Sequence, residues 1–209
     1  MMNFEKRSYI LTGISPILGS QPADPEIRTN FIASKAPAGT DIDAENEMLP
    51  TEDLGGLTVF LRSTEDGGIA ILDYVVIGFL KEAVGALAAQ NSIAMAGSKV
   101  GKYVFCEPRT IPLMRDDEHV AEPDGMCERS LRAQTMQGPR NALAASEQVD
   151  DPWRIEITLS LIPNSGTKKS QPITWDVIED ALDYGRFKGL GQWRNGGYGR
   201  FTWERKSEE

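Results

Sequence analysis

Apolar residues recur along this chain at two spacings, and the shorter one predicts strands. Segments that alternate between apolar and polar residues, or are apolar throughout over a strand length, are 8–14, 57–62, 69–72, 103–106, 110–114, 155–161 and 198–204. The polar segment 64–68 contains Asp66 and two glycines, which is typical of a hairpin turn. Strands 57–62 and 69–72 are therefore expected to pair.

The longer spacing predicts two helices. Segment 73–90 carries apolar residues on one helical side, and Asp73 is expected to cap its N-terminus. Segment 173–187 has the same periodicity, with Thr174 as N-cap and acidic residues near the positive end of the helix dipole. Both helices lie between predicted strands.

This order of elements predicts an α+β fold with a ferredoxin-like (RRM-like) core. We expect an antiparallel sheet with helix 73–90 packed on one face. Two long polar segments, at about 21–56 and 115–148, are predicted to be insertions into a single domain that covers residues 1–209. Loops of that length usually have a functional role, so the insertions are expected to do more than connect strands.

A glycine-rich run near the C-terminus is the most informative motif. Five glycines fall within residues 189–199, together with Trp193, Arg194 and Tyr198, and Arg200 follows directly. Glycine permits positive φ and close backbone approach, arginine binds phosphate, and flat rings stack on bases. The predicted nucleic-acid-binding residues of this loop are Gly189, Gly191, Gln192, Trp193, Arg194, Asn195, Gly197, Tyr198, Gly199 and Arg200. A purely structural turn, with Trp193 as a core plug, is the alternative.

The loop differs from the nucleotide-cofactor loops. Those loops lie between a strand and the N-terminus of the next helix, whereas here a predicted helix comes before the glycines and a strand follows them. Helix, glycine-rich loop and strand in this order resemble the C-terminal region of the RAMP superfamily, the RNA-binding proteins of CRISPR effector complexes. Segments 9–20, 129–135, 138–140, 146–147 and 153–161 also resemble that superfamily.

The resemblance implies a function and an assembly. Its members contact an RNA backbone through the glycine-rich loop and line up side by side along the strand. For this chain it implies a homo-oligomer or a subunit of a ribonucleoprotein complex, in a CRISPR system or in a mobile element outside one. The insertions would then be the contacts between neighbouring copies.

Further candidate contacts lie outside the glycine-rich loop. Arg132 and Gln134 alternate along a strand-like segment, which predicts that they share a face, with Arg129 and Arg140 nearby. Lys35, in the first insertion, is within reach of phosphates if that loop folds towards the ligand. A solvated sheet face and a solvated loop charge are the respective alternatives.

Charge argues against a uniformly basic binding surface. The formal net charge is −9, with acidic residues concentrated in segments 41–53 and 116–128 and cations concentrated from residue 186 onwards. A basic cleft on an acidic body is consistent with this distribution. An acidic surface that mimics nucleic acid, or that meets a basic partner, is the competing interpretation.

Catalysis, metals and cofactors have little support in the sequence. His119 is the sole histidine and lies in an acidic segment, and Cys106 and Cys127 are not spaced as metal ligands, so we expect neither metal nor cofactor and we expect reduced thiols. No apolar run is long enough for a membrane span, and no signal peptide is recognisable, which predicts a cytoplasmic protein.

Three functions remain open at this point. The first is a non-catalytic protein that binds single-stranded RNA or DNA. The second is a RAMP-type endoribonuclease, for which His119 or Tyr198 would be the general base. The third is a protein-interaction module, such as a phage inhibitor with an acidic surface.

Overall fold

The computed structural model describes residues 4–23, 57–135, 138–164 and 170–206, with side chains described outside positions 130–143. The predicted contact Lys35 and most of the first insertion lie outside the described residues. The described strands are β1 (Glu5–Gly13), β2 (Ile17–Leu18), β3 (Gln21–Pro22), β4 (Leu57–Val59), β5 (Leu61–Arg62), β6 (Ile69–Leu72), β7 (Val104–Glu107), β8 (Thr110–Pro112), β9 (Met114–Arg115), β10 (Glu118–His119), β11 (Gly125–Thr135), β12 (Gly138–Val149), β13 (Arg154–Leu161) and β14 (Phe201–Arg205). The described α-helices are α1 (Asp73–Ala86), α2 (Ala96–Tyr103) and α3 (Trp175–Asp183).

The largest described sheet is entirely antiparallel. Its order is β10-β9-β13-β1-β14, with β7 also paired to β13. Strand β1 lies between β13 and β14, in register with β13 from Glu5↔Leu161 to Thr12↔Arg154 and with β14 from Tyr9↔Arg205 to Gly13↔Phe201. The protein is thus an α+β fold with an antiparallel sheet at its centre, as the order of elements predicts.

Buried and exposed residues alternate along β1 and β13, and the buried ones mark the face of the sheet that the helices cover. Tyr9 and Leu11 of β1 and Ile157 of β13 are fully buried, whereas the intervening residues are partly or fully exposed. The buried residues belong to one core with the apolar side of α1 and α3. Within it, the ring of Phe79 on α1 meets that of Phe201 on β14 edge to face, with centroids 5.2 Å apart.

Two smaller sheets complete the described fold. One has the order β11-β12-β4-β3, with β2 also paired to β12, and its β4–β12 pair is parallel. The other has the order β5-β6-β8. The predicted hairpin is confirmed, since Leu61 pairs with Ala70 and Arg62 with Ile69. The predicted single strand 57–62 is wrong, because the chain leaves one sheet after Val59 and joins the other at Leu61.

The helices differ from the sequence prediction at their ends. Helix α1 ends at Ala86 rather than at residue 90, and Asp73 is its first residue, with Leu72 at the N-cap position. Thr174 is confirmed as the N-cap of α3, where its hydroxyl accepts a hydrogen bond from the amide of Val177 at 3.4 Å. The pattern did not predict α2, whose two glycines disfavour a helix. Tyr103 accordingly ends a helix instead of starting a strand.

The second predicted insertion contains a long antiparallel hairpin. Strands β11 and β12 pair from Gly125↔Gln148 to Thr135↔Gly138. The parallel pair with β4 joins the base of this hairpin to the chain after the first insertion, through Ala145↔Leu57 and Ser146↔Thr58.

In the part of the chain that the structure describes, no helix has both the length and the apolar character needed to cross a membrane.

Candidate nucleic-acid interface

The glycine-rich loop is fixed to the turn between β1 and β2. After α3 a 3₁₀ turn covers Tyr184–Arg186, a second one covers Arg194–Gly196, and β14 follows. The amide of Gly199 donates to the carbonyl of Pro16 at 2.7 Å, and the amide of Arg200 donates to the Ser15 hydroxyl at 2.9 Å. The turn at Ser15 and Pro16 therefore supports the loop.

Two glycines of the loop, Gly191 and Gly199, allow its close packing on the protein backbone. Gly191 and Gly199 have φ of +76° and +68°, a region that residues with a Cβ seldom adopt. A Cβ added to Gly199 would lie 2.0 Å from the carbonyl oxygen of Leu190, and one added to Gly191 would lie 2.6 Å from that of Leu18. At both positions the close approach is to the protein's own backbone. Gly197, with φ of +88°, has nothing within 4 Å of such a Cβ.

The two arginines of the loop differ in their partners. Arg194 Nη2 lies 2.7 Å from a carboxylate oxygen of Glu82 on α1, and Lys188 contacts the other oxygen of the same carboxylate. Burial acts to raise the pKa of Glu82, but the hydrogen bond from Lys188 and the two positive charges outweigh it, so the pKa lies below its usual value. Arg200 makes no ion pair among the described residues, and its Nε is buried without a hydrogen-bond partner.

Two aromatic residues of the loop stack on one another. The rings of Trp193 and Tyr198 lie 5.2 Å apart at an interplanar angle of 20°. The Trp193 ring packs against Gly196, where an added Cβ would lie 2.7 Å from the ring. Trp193 is nevertheless 39% exposed. Phe187, just before the loop, is 76% exposed. The sequence analysis did not select Phe187, although an apolar residue between two cations was a usable signal.

Side chains of strand β11, in the long hairpin, contact both aromatic residues of the stack. The guanidinium of Arg129, on β11, lies 5.1 Å from the centroid of the Trp193 ring. The thiol of Cys127, on the same strand, donates to the phenol of Tyr198 at 3.4 Å. This hydrogen bond, followed by burial, raises the pKa of Tyr198, which makes its phenol a weaker source of a base near neutral pH. Arg129, which the sequence indicated only as a neighbour of the predicted contacts Arg132 and Gln134, is therefore a further candidate.

The remaining predicted contacts lie farther along the hairpin. Arg132 and Gln134 occupy alternate positions of β11, where the register pairs them with Asn141 and Pro139. Arg140 of β12 pairs instead with Ala133. The backbone therefore confirms a strand at Arg132 and Gln134 and places Arg140 on the neighbouring strand, and the contact of all three with a ligand stays a prediction.

His119 lies far from the glycine-rich loop in the order of the sheet. Strand β10, which carries it, is at the opposite edge from β14. Its Nδ1 lies 2.5 Å from a carboxylate oxygen of Asp66 and its Nε2 lies 2.7 Å from the carbonyl oxygen of Ile69, so the ring joins the β5–β6 hairpin to β10. The two candidate general bases, His119 and Tyr198, thus belong to different places on the molecule.

The thiols and the acidic residues form no metal centre in the described part of the chain. There, no three His, Cys, Asp or Glu side chains come together in a way that would hold a metal ion. Cys106 and Cys127 are both buried and free, and burial raises the pKa of the Cys106 thiol.

Comparison with known proteins gives a distant likeness in structure. No protein-family model matches the chain, and no curated protein matches it. The chain is similar to one in the cryo-EM structure of type III-B Cmr-beta bound to cognate target RNA, with a TM-score of 0.39 and 9% sequence identity. The similarity covers 97% of this chain and 60% of the other, so this chain spans about three fifths of that neighbour's length. A likeness at this level says nothing further about fold or function.

Proposed function

We propose that this protein binds single-stranded nucleic acid, with RNA as the expected ligand, through the glycine-rich loop and the base of the β11–β12 hairpin, and that it does not cleave the strand. One observation carries the proposal. On an acidic protein, a backbone-anchored loop carries the Trp193–Tyr198 stack and Arg200, and the guanidinium of Arg129 lies against the Trp193 ring. Trp193 is exposed, and neither arginine has a carboxylate partner among the described residues. Aromatic faces with unpaired cations are the parts that bind a single strand.

The sheet supports a ferredoxin-like core for this function. Along the chain, β1, α1, β7, β13, α3 and β14 follow one another in the order strand, helix, strand, strand, helix, strand. In the sheet the four strands have the order β14-β1-β13-β7, with every pair antiparallel. This is the arrangement of a split βαβ fold, and we infer a ferredoxin-like, RAMP-like domain with two insertions.

The placement of charges supports a local contact instead of a basic surface. Several cations elsewhere on the described surface face carboxylates: Arg154 lies 2.8 Å from Asp117 and Lys206 lies 2.6 Å from Glu156. Surface ion pairs of this kind leave little charge for a polyanion. Side-by-side assembly along the strand, with the insertions as contacts between copies, extends the proposal to an oligomer or a ribonucleoprotein subunit.

A salt titration tests the proposal. Fluorescence anisotropy would measure the affinity for labelled single-stranded RNA and DNA between 50 and about 200 mM salt, the range over which phosphate contacts strongly weaken. Arg200→Ala should weaken binding to all sequences alike and reduce the salt slope by about 0.7, the value for one contact to a single strand. Arg154→Ala is the matched control, because it removes an exposed, paired arginine.

The outcomes separate the three functions. Saturable binding of RNA that stays intact supports the proposal, and cleaved RNA would indicate the endoribonuclease. Absence of binding to either nucleic acid would leave the protein-interaction module. If Arg200→Ala keeps the affinity and the salt slope of the wild type, the loop is structural and the proposal fails.

A further inference from the structure

The side chain of Arg129 is a buried cation without a counter-ion. The residue is 9% exposed, and its Nη1 donates to the hydroxyl of Ser146 at 2.9 Å. Its Nε is buried with no hydrogen-bond partner. Its Nη2 is neither hydrogen-bonded to a described residue nor among the buried atoms that lack a partner. No carboxylate pairs with this guanidinium among the described residues.

Such a group is costly unless something balances its charge. Buried arginines are nearly always paired, because a charged donor that loses its water without gaining a partner destabilises the fold. The Trp193 ring offsets only part of this penalty, since a neutral ring supplies no counter-charge. By comparison, Arg115 has two nitrogens at 3.0 and 2.6 Å from the carboxylate oxygens of Asp124. Arg129 lacks such a partner within the described chain.

The surroundings of Arg129 suit a phosphate group. Strand β11 supplies the arginine, β12 supplies Ser146, and β4 supplies Thr58, whose hydroxyl lies 2.6 Å from that of Ser146. The glycine-rich loop supplies Trp193, whose ring contacts the guanidinium of Arg129. These neighbours are neutral, so they neither compete with an anion nor neutralise the arginine. A guanidinium presents its nitrogens as a planar fork that matches two phosphate oxygens.

We infer that Arg129 is the centre of a phosphate-binding site at the junction of β4, the β11–β12 hairpin and the glycine-rich loop. The source of the phosphate rests on the proposed function: it is one phosphodiester of the bound single strand. Because the same guanidinium contacts Trp193, an occupied site would join the loop to the hairpin. Arg129 is then a specific contact, in addition to Arg200.

Two measurements on the full chain test this site. Thermal melting with inorganic phosphate, against chloride at equal ionic strength, should show a higher Tm for the wild type and no increase for Arg129→Met, because a ligand stabilises the state that binds it. RNA binding by Arg129→Met should be weaker by about tenfold or more, as for a charged hydrogen bond, with a salt slope reduced by about 0.7. Arg154→Met is the control for loss of an arginine.

The outcomes distinguish this inference from the proposed function. If RNA is bound and Arg129→Met changes neither affinity nor slope, the site is wrong and the proposed function stands. If RNA is not bound but phosphate stabilises only proteins with Arg129, the site stands and the proposed function is wrong. Should Arg129→Met fail to fold, Arg129→Lys keeps the charge without the fork, and wild-type affinity in that variant would overturn the site.

Discussion

Replacement of Gly199 by alanine should destabilise the protein far more than the same replacement at Gly197. Both residues have positive φ, +68° and +88°, which costs an L-residue about 1–2 kcal/mol. Only at Gly199 would the new Cβ meet backbone, 2.0 Å from the carbonyl oxygen of Leu190. Relief of that clash requires the chain to move where Leu190 donates to Gly199 at 2.9 Å and Gly199 donates to Pro16 at 2.7 Å.

The expected difference follows from those two hydrogen bonds. Each contributes about 1 kcal/mol net, so Gly199→Ala should cost about 3–4 kcal/mol and Gly197→Ala about 1–2 kcal/mol. The gain from a stiffer unfolded chain is the same for both variants and cancels in the comparison. Urea denaturation followed by circular dichroism gives both values, provided that the slope of the transition is unchanged. Equal losses for the two variants would refute the close packing of the loop on the β1–β2 turn.

Three further predictions concern single side chains. Glu82→Gln releases Lys188 and Arg194 from their carboxylate, so RNA affinity at low salt should rise several-fold, and an unchanged affinity would place Arg194 away from the strand. A hydrogen bond from His119 lowers the pKa of Asp66 from 3.8, so its contribution to stability is present above that value and is lost as the pH falls below it; Tm against pH for Asp66→Asn should lack this acid-side loss. Replacing both cysteines by serine should leave a folded protein under reducing conditions, which circular dichroism would disprove if the helices were lost.

Local patterns were sufficient for the elements whose signals lie within a short window. The N-cap of α3 at Thr174 and the β5–β6 hairpin are set by neighbouring residues, and both follow from the sequence. The ends of α1 depend on less distinct signals, because its last predicted turn lacks a strong stop residue. The pattern did not predict helix α2, because its two glycines have a low helix propensity. Packing against the rest of the fold compensates for that low propensity.

Pairings between distant segments were beyond such patterns. The parallel pair of β4 and β12 joins Leu57 to Ala145, and nothing in either segment specifies the other. The same holds for the candidate site. Its glycines and aromatics, with Arg194 and Arg200, were evident as a motif. Only the fold shows that Glu82 neutralises Arg194, that Arg129 reaches the loop from β11, and that neither Arg129 nor Arg200 has a carboxylate partner among the described residues.

Photo-crosslinking of bound single-stranded RNA, with the modified peptides identified by mass spectrometry, is the most direct test of where the ligand lies. The proposed function predicts cross-links in segment 187–200, above all at Trp193 or Phe187. It also predicts that these cross-links are lost in the Arg200→Ala variant when the RNA concentration is below the Kd of that variant. Cross-links confined to the β9–β10 edge of the sheet, or none at saturating RNA, would contradict it.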